Sequence, residues 1–326
     1  MSEKALRVLV LTTSVPNLRV STIGQSFSCC PPNLSWEWAE AVALGSAGVE
    51  IVVGPVRHAI PQDHTDIVYA SSQNLAIAAR HAADALGVPW VCRVIVPPAP
   101  QDGPAQNEQD EALVALLDTA AAVVFPSDWL CDAWASRLVG VRAGRRVVPH
   151  GIAAPQEVQD RRSGALFIGW LTERKRVDVA IRACHKAGIV LTVVGDGPER
   201  RALVRLAAEL DADVRFTGIV DEDAKAIHLG RNAFYVSAAE EEYFGIPVGE
   251  ALAAGCRVLP RWLPALLSVW SGSGVEWWDT EEALVALLRM RRTAGSGAGA
   301  SWLAAHGYDL PAVGRQLAEV LRDVVT

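Results

Sequence analysis

Residues 242–255 read E-Y-F-G-I-P-V-G-E-A-L-A-A-G, the pattern of a loop that runs directly into a helix. A short strand-like run precedes this stretch at 233–236, and another follows it at 257–259. A helix between two such runs is typical of the strand–helix–strand unit of a parallel sheet. The stretch therefore predicts a helix over 247–255 inside an α/β domain.

The same alternation of β-branched runs and helical patterns extends along the whole chain. In the carboxy-terminal half we predict further strands at 165–169, 190–194 and 214–217, and helices at 177–187, 198–210 and 221–230. In the amino-terminal half we predict strands at 6–12, 49–54, 66–70, 89–95, 121–125 and 146–148, and helices at 34–47, 74–86, 108–118 and 127–138. A last amphipathic helix is predicted from about 311 to 324.

Residues 149–151, Pro-His-Gly, interrupt this alternation, and the polar stretch 153–163 behind them has no periodicity. The 326 residues, of which 51% are hydrophobic, are enough for two domains that each bury a core. We therefore expect an α/β protein with two facing Rossmann-like, doubly wound domains and a cleft between them. Open α/β sheets of this kind bind ligands at the carboxyl ends of their strands.

Composition limits the classes of ligand. The formal net charge is −7, so the surface as a whole offers no attraction for nucleic acid or an anionic membrane. No apolar run reaches the roughly 20 residues of a membrane-spanning helix, and the first apolar run, which ends at Leu11, does not fit a signal peptide. The six cysteines show no C-x-x-C spacing. We therefore expect reduced thiols and a cytoplasmic protein.

One strand end carries two glycines. Gly195, Asp196 and Gly197 directly follow the strand predicted at 190–194. Glycines permit a tight turn and the close approach of a ligand. A plain strand-to-helix turn is the alternative interpretation.

A second strand end carries cations. Arg174, Lys175 and Arg176 follow the strand end at Gly169 and stand at the start of a predicted helix. Cations oppose the helix macrodipole at that end, so helix stability does not explain them. An anionic ligand does, and a solvated basic patch is the alternative.

Two glutamates of the opening stretch, Glu242 and Glu250, suit a ligand that combines phosphate with sugar groups. Backbone N–H groups of Phe244 to Val248 can point at phosphate oxygens from the start of the predicted helix. Glu250, in the first turn of that helix, could accept bonds from a ribose diol, and Glu242 from a sugar beyond the diphosphate. Alternatively, acidic residues simply favour helix N-termini, and Glu240–Glu242 is a solvated loop.

In order and spacing these pieces resemble the retaining GT-B glycosyltransferases of the family 4 type, the glycosyl transferases group 1. That family's pattern runs G-R-L-x-x-x-K-G, V-G-D-G-P, F-x-G and E-G-F-G-L-P-x-x-E-A-x-A-x-G. This chain reads G-W-L-T-E-R-K-R at 169–176, V-G-D-G-P at 194–198, F-T-G at 216–218 and E-Y-F-G-I-P-V-G-E-A-L-A-A-G at 242–255. The resemblance implies an acceptor-side domain over 1–152, a nucleotide-sugar-binding domain over 153–300, and a segment over 301–326 that crosses back to the first domain.

The resemblance also implies transfer of a sugar, such as a hexose, from a nucleoside diphosphate sugar with retention at the anomeric carbon. Lys175 would neutralise the β-phosphate and Glu242 would orient the donor sugar, which makes these two the implied catalytic residues. The implied donor-binding residues are Gly169, Arg174, Gly195, Asp196, Gly197, Gly218, Phe244, Gly245, Ile246, Pro247 and Glu250. Among them, the amides around Gly245 to Pro247 would hold phosphate oxygens.

Neither a metal nor a cofactor is expected. The leaving phosphate can itself take the proton of the acceptor. We find neither a D-x-D motif at a plausible strand end nor a His/Cys cluster at one. The nucleoside diphosphate sugar is therefore the one partner that the resemblance implies, and the acceptor is left open.

Two departures from the family pattern bear on how the donor and the acceptor are bound. Trp170 stands where the family has the arginine that pairs with the diphosphate, so Arg174 or Arg176 would have to substitute. Residues 13–33, with Gly24 as the only glycine, replace the family's glycine-rich acceptor loop. Two other hypotheses therefore stay open: a non-catalytic relative that binds nucleotide sugar as a partner protein, and a glycosyltransferase acting on tRNA. The acidic balance disfavours the second of these.

Overall fold

The structure is a computed structural model, and it describes residues 6–12, 18–20, 35–55, 64–98, 104–154, 163–290 and 298–326. Most of the stretches 13–33 and 153–163 lies outside the described residues. The described chain forms two compact units. The first runs up to Gly151 and also includes Leu310–Thr326, whereas the second comprises Ile152–Asp309.

The first unit is built on a mainly parallel sheet. Its described strands are β1 (Arg7–Thr12), β2 (Leu18–Val20), β3 (Glu50–Pro55), β4 (Ile67–Ala70), β5 (Trp90–Arg93), β6 (Ala122–Phe125) and β7 (Gly144–Val147), in the spatial order β2-β3-β1-β4-β5-β6-β7. Only β2 pairs antiparallel among these strands. The sequence does not predict β2, which lies in the stretch 13–33 that is expected to form the acceptor loop.

Helices cover the first sheet. They are α1 (Ser35–Ser46), α2 (Ala76–Leu86), α3 (Pro104–Leu117) and α4 (Asp128–Ala135). Val8, Leu9 and Val10 on β1 are all buried, as expected for a parallel strand covered on both faces. The last strand differs, since β7 is an edge strand whose Arg145 and Arg146 side chains are exposed. The sequence predicts it at 146–148, two residues later than it begins, because the apolar residues of this stretch start at Val147.

The second unit holds a fully parallel sheet. Its described strands are β8 (Ala165–Ile168), β9 (Leu191–Val194), β10 (Val214–Gly218), β11 (Phe234–Ser237) and β12 (Arg257–Pro260), in the order β10-β9-β8-β11-β12. The described helices are α5 (Val177–Ala187), α6 (Arg200–Glu209), α7 (Glu222–Arg231), α8 (Ile246–Ala253), α9 (Pro264–Trp270), α10 (Glu281–Arg289) and α11 (Ala298–Ala305). The sequence predicts α5 to α8 but not α9 to α11.

The final helix, α12 (Leu310–Val325), belongs to the first unit. Near its end the Arg322 guanidinium donates to the carbonyl of Ala47, just beyond α1, at 3.0 Å. Within the described residues, no helix combines the length and apolarity needed to cross a membrane. The predicted fold class, an α/β protein with two doubly wound, Rossmann-like units, is confirmed.

Candidate functional site

The order of strands in the second sheet reverses beside β8. The chain passes from β8 outward through β9 to β10, and then returns to place β11 on the other side of β8. Open α/β sheets bind ligands beyond the carboxyl ends of their strands at such a reversal. Because β8 ends at Ile168 and β11 at Ser237, the residues that follow these strands reach the same edge of the sheet.

The two catalytic candidates are in direct contact at this edge. Lys175 ends a 3₁₀ turn after β8, and its Nζ lies 2.6 Å from Oε2 of Glu242 in the loop after β11. The backbone joins the same segments, since the Glu240 amide donates to the carbonyl of Arg174 at 2.8 Å. Both side chains keep about a quarter of their surface exposed, 27% for Lys175 and 23% for Glu242. A ligand can therefore reach the pair.

Glutamates also hold the flanking arginines. Arg174 pairs with Glu241, and Arg176 pairs with Glu240. The predicted substitutes for the family arginine at Trp170 are therefore both engaged with carboxylates of the neighbouring loop. The Trp170 side chain is 57% exposed.

Arg176 has an unusual backbone. Its φ of 46° lies in the left-handed region, where the resembled family has glycine. Asp178 holds the Arg176 guanidinium through hydrogen bonds of 3.1 and 3.2 Å. These bonds and the Glu240 carboxylate raise the pKa of Arg176 above its ordinary value, and burial offsets only part of that effect.

The start of α8 narrows the predicted phosphate contacts. Gly245 is the N-cap, with φ of 77°. The Val248 amide already donates to the Gly245 carbonyl at 2.9 Å, and Pro247 has no N–H. The prediction that amides up to Val248 bind phosphate is therefore wrong for these two residues. Gly245 and Ile246 are left as amide donors in the first turn.

Phe244 anchors the loop from inside. Its ring is buried and meets the ring of Trp270 edge-on at a centroid distance of 5.5 Å. The Trp270 indole also donates to the Phe244 carbonyl at 2.6 Å. The side chain of Phe244, a predicted donor-binding residue, thus packs in the core. Trp270 is not indicated by the sequence, because it lies on the unpredicted helix α9.

Gly195 and Gly197 are required by packing between loops. A β-carbon on Gly195 would lie 2.0 Å from the carbonyl oxygen of Gly169, and one on Gly197 would lie 2.4 Å from that of Leu171. Both residues also have φ in the left-handed region, at 126° and 154°. These glycines were predicted to allow a ligand to approach. The structure shows that what approaches them is the backbone of the neighbouring loop.

Backbone hydrogen bonds connect the remaining predicted residues of this edge. The Gly195 amide donates to the Gly218 carbonyl at 2.8 Å, and the Leu171 amide donates to the Asp196 carbonyl at 2.8 Å. Asp196 Oδ1 in turn accepts from the Gly197 amide at 2.8 Å. The loops after β8, β9 and β10 therefore form one connected surface.

Glu250 lies deeper than predicted. It is the fifth residue of α8, hence in the second turn, and it is only 6% exposed. Lys225 of α7 lies with its Nζ 2.7 Å from Oε1 of Glu250 and 2.7 Å from Oε2 of Glu222. Burial raises the pKa of Glu250, and Lys225 offsets only part of that effect. Burial acts against the charge of Lys225, but the two carboxylates raise its pKa above the ordinary value.

Both candidate glutamates act on one buried tyrosine of β11. Burial raises the pKa of Tyr235, and the carboxylates of Glu242 and Glu250 raise it further. The two glutamates are therefore within electrostatic range of the same strand. Sequence analysis missed Lys225, whose one visible signal, a Glu222–Lys225 spacing of three on a helix, is typical of an ordinary surface pair.

The described part of the chain contains no group of three or more His, Cys, Asp or Glu side chains arranged to hold a metal ion. Its cysteines, Cys92, Cys131, Cys184 and Cys256, are free thiols.

Comparison with known proteins identifies the class of this site. Residues 153–260 match the family model of glycosyl transferases group 1. This segment lies in the second unit and contains Lys175, Glu242 and Glu250. A comparison with curated protein sequences gave no match.

Solved structures share the fold over nearly the whole chain. The Anabaena protein Alr3699/HepE in complex with UDP and glucose has a TM-score of 0.70 and 16% identity, with 98% of this chain and 100% of that chain covered. A glycosyltransferase from Rickettsia africae has a TM-score of 0.69 and 12% identity, with 99% and 100% covered. Sucrose-phosphate synthase from Thermosynechococcus elongatus has a TM-score of 0.64 and 14% identity, with 98% and 94% covered.

At these identities the structures establish the fold, and the family match adds a glycosyltransferase domain. The predictions of a GT-B architecture and of a glycosyltransferase as the enzyme class are confirmed.

Proposed function

We propose that this protein transfers a sugar from a nucleoside diphosphate sugar to an acceptor hydroxyl or similar nucleophile, with retention at the anomeric carbon and without a metal ion or cofactor. The observation that carries the proposal is the contact between Lys175 and Glu242 beside the start of α8. It places an ammonium group, a carboxylate and two amide donors in one short region. A sugar diphosphate presents groups that each of them can bind.

Lys175 neutralises the departing diphosphate. An ammonium group has three N–H donors, and the contact with Glu242 uses one of them. The others can bind oxygens of the β-phosphate. Charge stabilisation of this kind by a preorganised donor acts mainly in the transition state, when negative charge develops on the leaving group.

The amides of Gly245 and Ile246 bind the same phosphate at the N-terminus of α8, where the helix dipole favours an anion. Glu242 contacts Lys175 through Oε2, so its other oxygen can accept from hydroxyls of the donor sugar. Glu250 accepts from the ribose. Each assignment gives a separate part of the donor to a separate group of the site.

The reaction is a substitution at the anomeric carbon. The bond from that carbon to the β-phosphate oxygen breaks, and the electron pair leaves with the phosphate. The acceptor oxygen forms the new bond on the same face, and its proton passes to the released phosphate. In this scheme Lys175 and the amides of α8 stabilise the charge of the leaving group, and no metal ion is required.

UDP is the first nucleotide to test, because Alr3699/HepE was solved with UDP-glucose. We would measure thermal unfolding with UDP, GDP, ADP and dTDP and their sugars, since a ligand of the folded state raises its stability by RT ln(1 + [L]/Kd). Hydrolysis of the stabilising nucleotide sugar, followed by NMR, would report the anomeric configuration of the released sugar. Turnover should persist with EDTA. An inverted product, or turnover that stops with EDTA, would contradict the corresponding part of the proposal.

One observation favours a second candidate, a non-catalytic relative that binds nucleotide sugar. Trp170 stands where the resembled family has an arginine. Arg174 and Arg176 pair with Glu241 and Glu240, respectively. Lys175 is then the main cation for the diphosphate. Donor binding without hydrolysis or transfer in any acceptor screen would support this candidate and contradict the enzyme.

A further inference from the structure

A buried cation lies behind Glu250, and the reaction proposed above gives it no role. Lys225 extends from α7, and its side chain is only 12% exposed. Its Nζ lies 2.7 Å from Glu222 on the same helix and 2.7 Å from Glu250 on α8. The lysine therefore connects two helices through one ammonium group.

The charges of Lys225, Glu222 and Glu250 do not balance. One ammonium group serves two carboxylates, and burial raises the pKa of Glu250 despite the nearby cation. A carboxylate in that state gains from any additional hydrogen-bond donor, because bonds to charged groups are stronger than neutral ones.

The contact with Lys225 also leaves one carboxylate oxygen of Glu250 available to a ligand. The hydrogen bond of Lys225 goes to Oε1. No hydrogen bond to Oε2 occurs within the part of the chain that the structure describes. Because Oε1 is held, the rotation of the carboxylate is restricted, and Oε2 has a defined direction.

We propose that Lys225 is a positioning residue, which holds Oε1 of Glu250 so that Oε2 is presented to the vicinal hydroxyls of the donor's ribose. This inference rests on the proposed function and adds to it a residue of α7 that lies outside the sequence motifs of the site. Lys225 acts through Glu250 and does not itself touch the donor.

Stability alone does not account for the arrangement. Replacing a buried ion pair with apolar residues of similar volume is often neutral or stabilising. Two carboxylates around one cation are less favourable still, because the second adds like-charge repulsion. The arrangement is explained if one carboxylate must stay charged and oriented for a ligand.

The test compares two ligands on the same variant. We would measure the Kd of UDP, GDP and ADP, and of their 2′,3′-dideoxy counterparts, by calorimetry on the full chain. The ratio of the dideoxy Kd to the ribose Kd reports the contact with the hydroxyls. In the wild type we expect a ratio of about 10 to 100 for the nucleotide that binds. In Lys225→Met the ratio should fall to the value of Glu250→Ala.

Because Lys225 acts through Glu250, the double variant Lys225→Met/Glu250→Ala should have the same ratio as Glu250→Ala alone. A purely structural role would weaken both ligands by the same factor and leave the ratio unchanged. Lys186→Met is the matched control, since Lys186 also pairs with a glutamate, Glu281, at 2.7 Å but lies on α5. Its ratio should equal that of the wild type.

Lys225→Met leaves two buried carboxylates without their cation, so a second variant protects the test against loss of folding. Lys225→Met/Glu222→Gln removes one cation and one anion together, and it should show the same reduced ratio. A wild-type ratio in this variant, with a low ratio in Glu250→Ala, overturns the inference alone. A wild type that binds none of the nucleotides overturns the proposed function and this inference with it.

Discussion

Each unit buries a glutamate beside a cation, but only the glutamate of the first unit is surrounded by donors. Glu40 lies 3.0 Å from the Arg93 guanidinium, accepts from the Tyr69 hydroxyl at 3.0 Å and contacts His150 at 3.2 Å. Burial by itself would raise the pKa of Glu40, but Arg93 and His150 hold it below its ordinary value. The negative charge of Glu40 is therefore balanced by donors of its own unit.

Glu250 of the second unit is compensated less completely. It shares one cation, Lys225, with Glu222, and its pKa is raised. The comparison teaches that burial of an acid does not define its role, whereas the number of donors around it does. A compensated acid such as Glu40 stabilises its unit, and an under-compensated acid such as Glu250 is suited to accept bonds from a ligand.

The largest effect should come from breaking the first cluster. Arg93 is fully buried and also donates to the Tyr69 hydroxyl at 2.7 Å and to the Val148 carbonyl at 2.8 Å. Arg93→Met leaves Glu40 buried without its cation, so we expect a loss of about 3–5 kcal/mol in the free energy of unfolding. Urea unfolding measures it.

Arg80→Met, which removes an exposed pair with Asp84, is the control for this experiment and should change stability by less than about 1 kcal/mol. If Arg93→Met instead kept its stability and lost nucleotide binding, the contrast between a structural and a functional cluster would fail.

At the accessible Lys175–Glu242 pair of the second unit, we expect a large loss of activity and little loss of stability. Lys175→Ala should lower kcat by about 100- to 1000-fold, as for loss of one transition-state donor. The melting temperature should hardly change, because the pair is partly exposed. Initial rates of nucleotide-sugar hydrolysis and thermal unfolding would be measured together, with Lys186→Ala as control. A large drop in melting temperature with unchanged kcat would contradict the assignment.

The pH dependence of stability should separate the two glutamates. The pKa of Glu40 is lowered from its ordinary value of 4.5, so its contribution is complete above that pH and is lost as the pH falls through the lowered value. The stability advantage of wild type over Glu40→Gln should therefore shrink on acidification below about pH 4.5.

Glu250 should show the reverse trend, because its pKa is raised from 4.5. At a pH above the ordinary pKa, ionisation of the buried carboxyl destabilises the folded state. Protonation on acidification removes this destabilisation. The stability of wild type relative to Glu250→Gln should thus improve as the pH falls through the raised pKa towards 4.5. Urea midpoints at a series of pH values would measure both differences. If the stability differences of Glu40→Gln and Glu250→Gln from wild type changed in the same direction with pH, the surroundings of Glu40 and Glu250 would not differ as we infer.

The smallest effect concerns the turn that carries Lys175. Arg176 adopts a left-handed backbone, which costs a residue with a side chain about 1–2 kcal/mol. Arg176→Gly and Arg176→Ala lose the same ion pairs, but only glycine relieves the strain. We expect the glycine variant to be the more stable by about 1 kcal/mol in thermal unfolding. Equal stability would show that the turn bears no strain.

Regular helices and buried strands were predictable from the chain. The apolar spacing of α5 predicted its bounds, Val177–Ala187, as the structure has them. The short edge strand β2 was not predicted, and β7 was misplaced, because their pairing depends on a neighbouring backbone and not on apolar side chains. The helices α9, α10 and α11 were not predicted either, although α10 has Thr280 as its N-cap and an apolar face of Leu284, Val285 and Leu288.

Within the site, residue types and motif order are enough to indicate Lys175, Glu242 and Glu250. Their environments were not predictable. Phe244 turned inward on Trp270, and Glu250 was found in the second turn of α8. The first outcome depends on α9, which packs against this loop from elsewhere in the chain, and the second on the residue at which α8 begins.

The amino-acid order alone settled the alternation of strands and helices, the glycosyltransferase motifs and the supply of charges, because these are local properties of the chain. Only the fold determined which charged side chains form pairs. Lys175 and Glu242 are 67 positions apart and come together because β8 and β11 are neighbours in the sheet. Lys225 reaches Glu250 because α7 and α8 bring the two side chains together, a consequence of packing that spacing along the chain does not express.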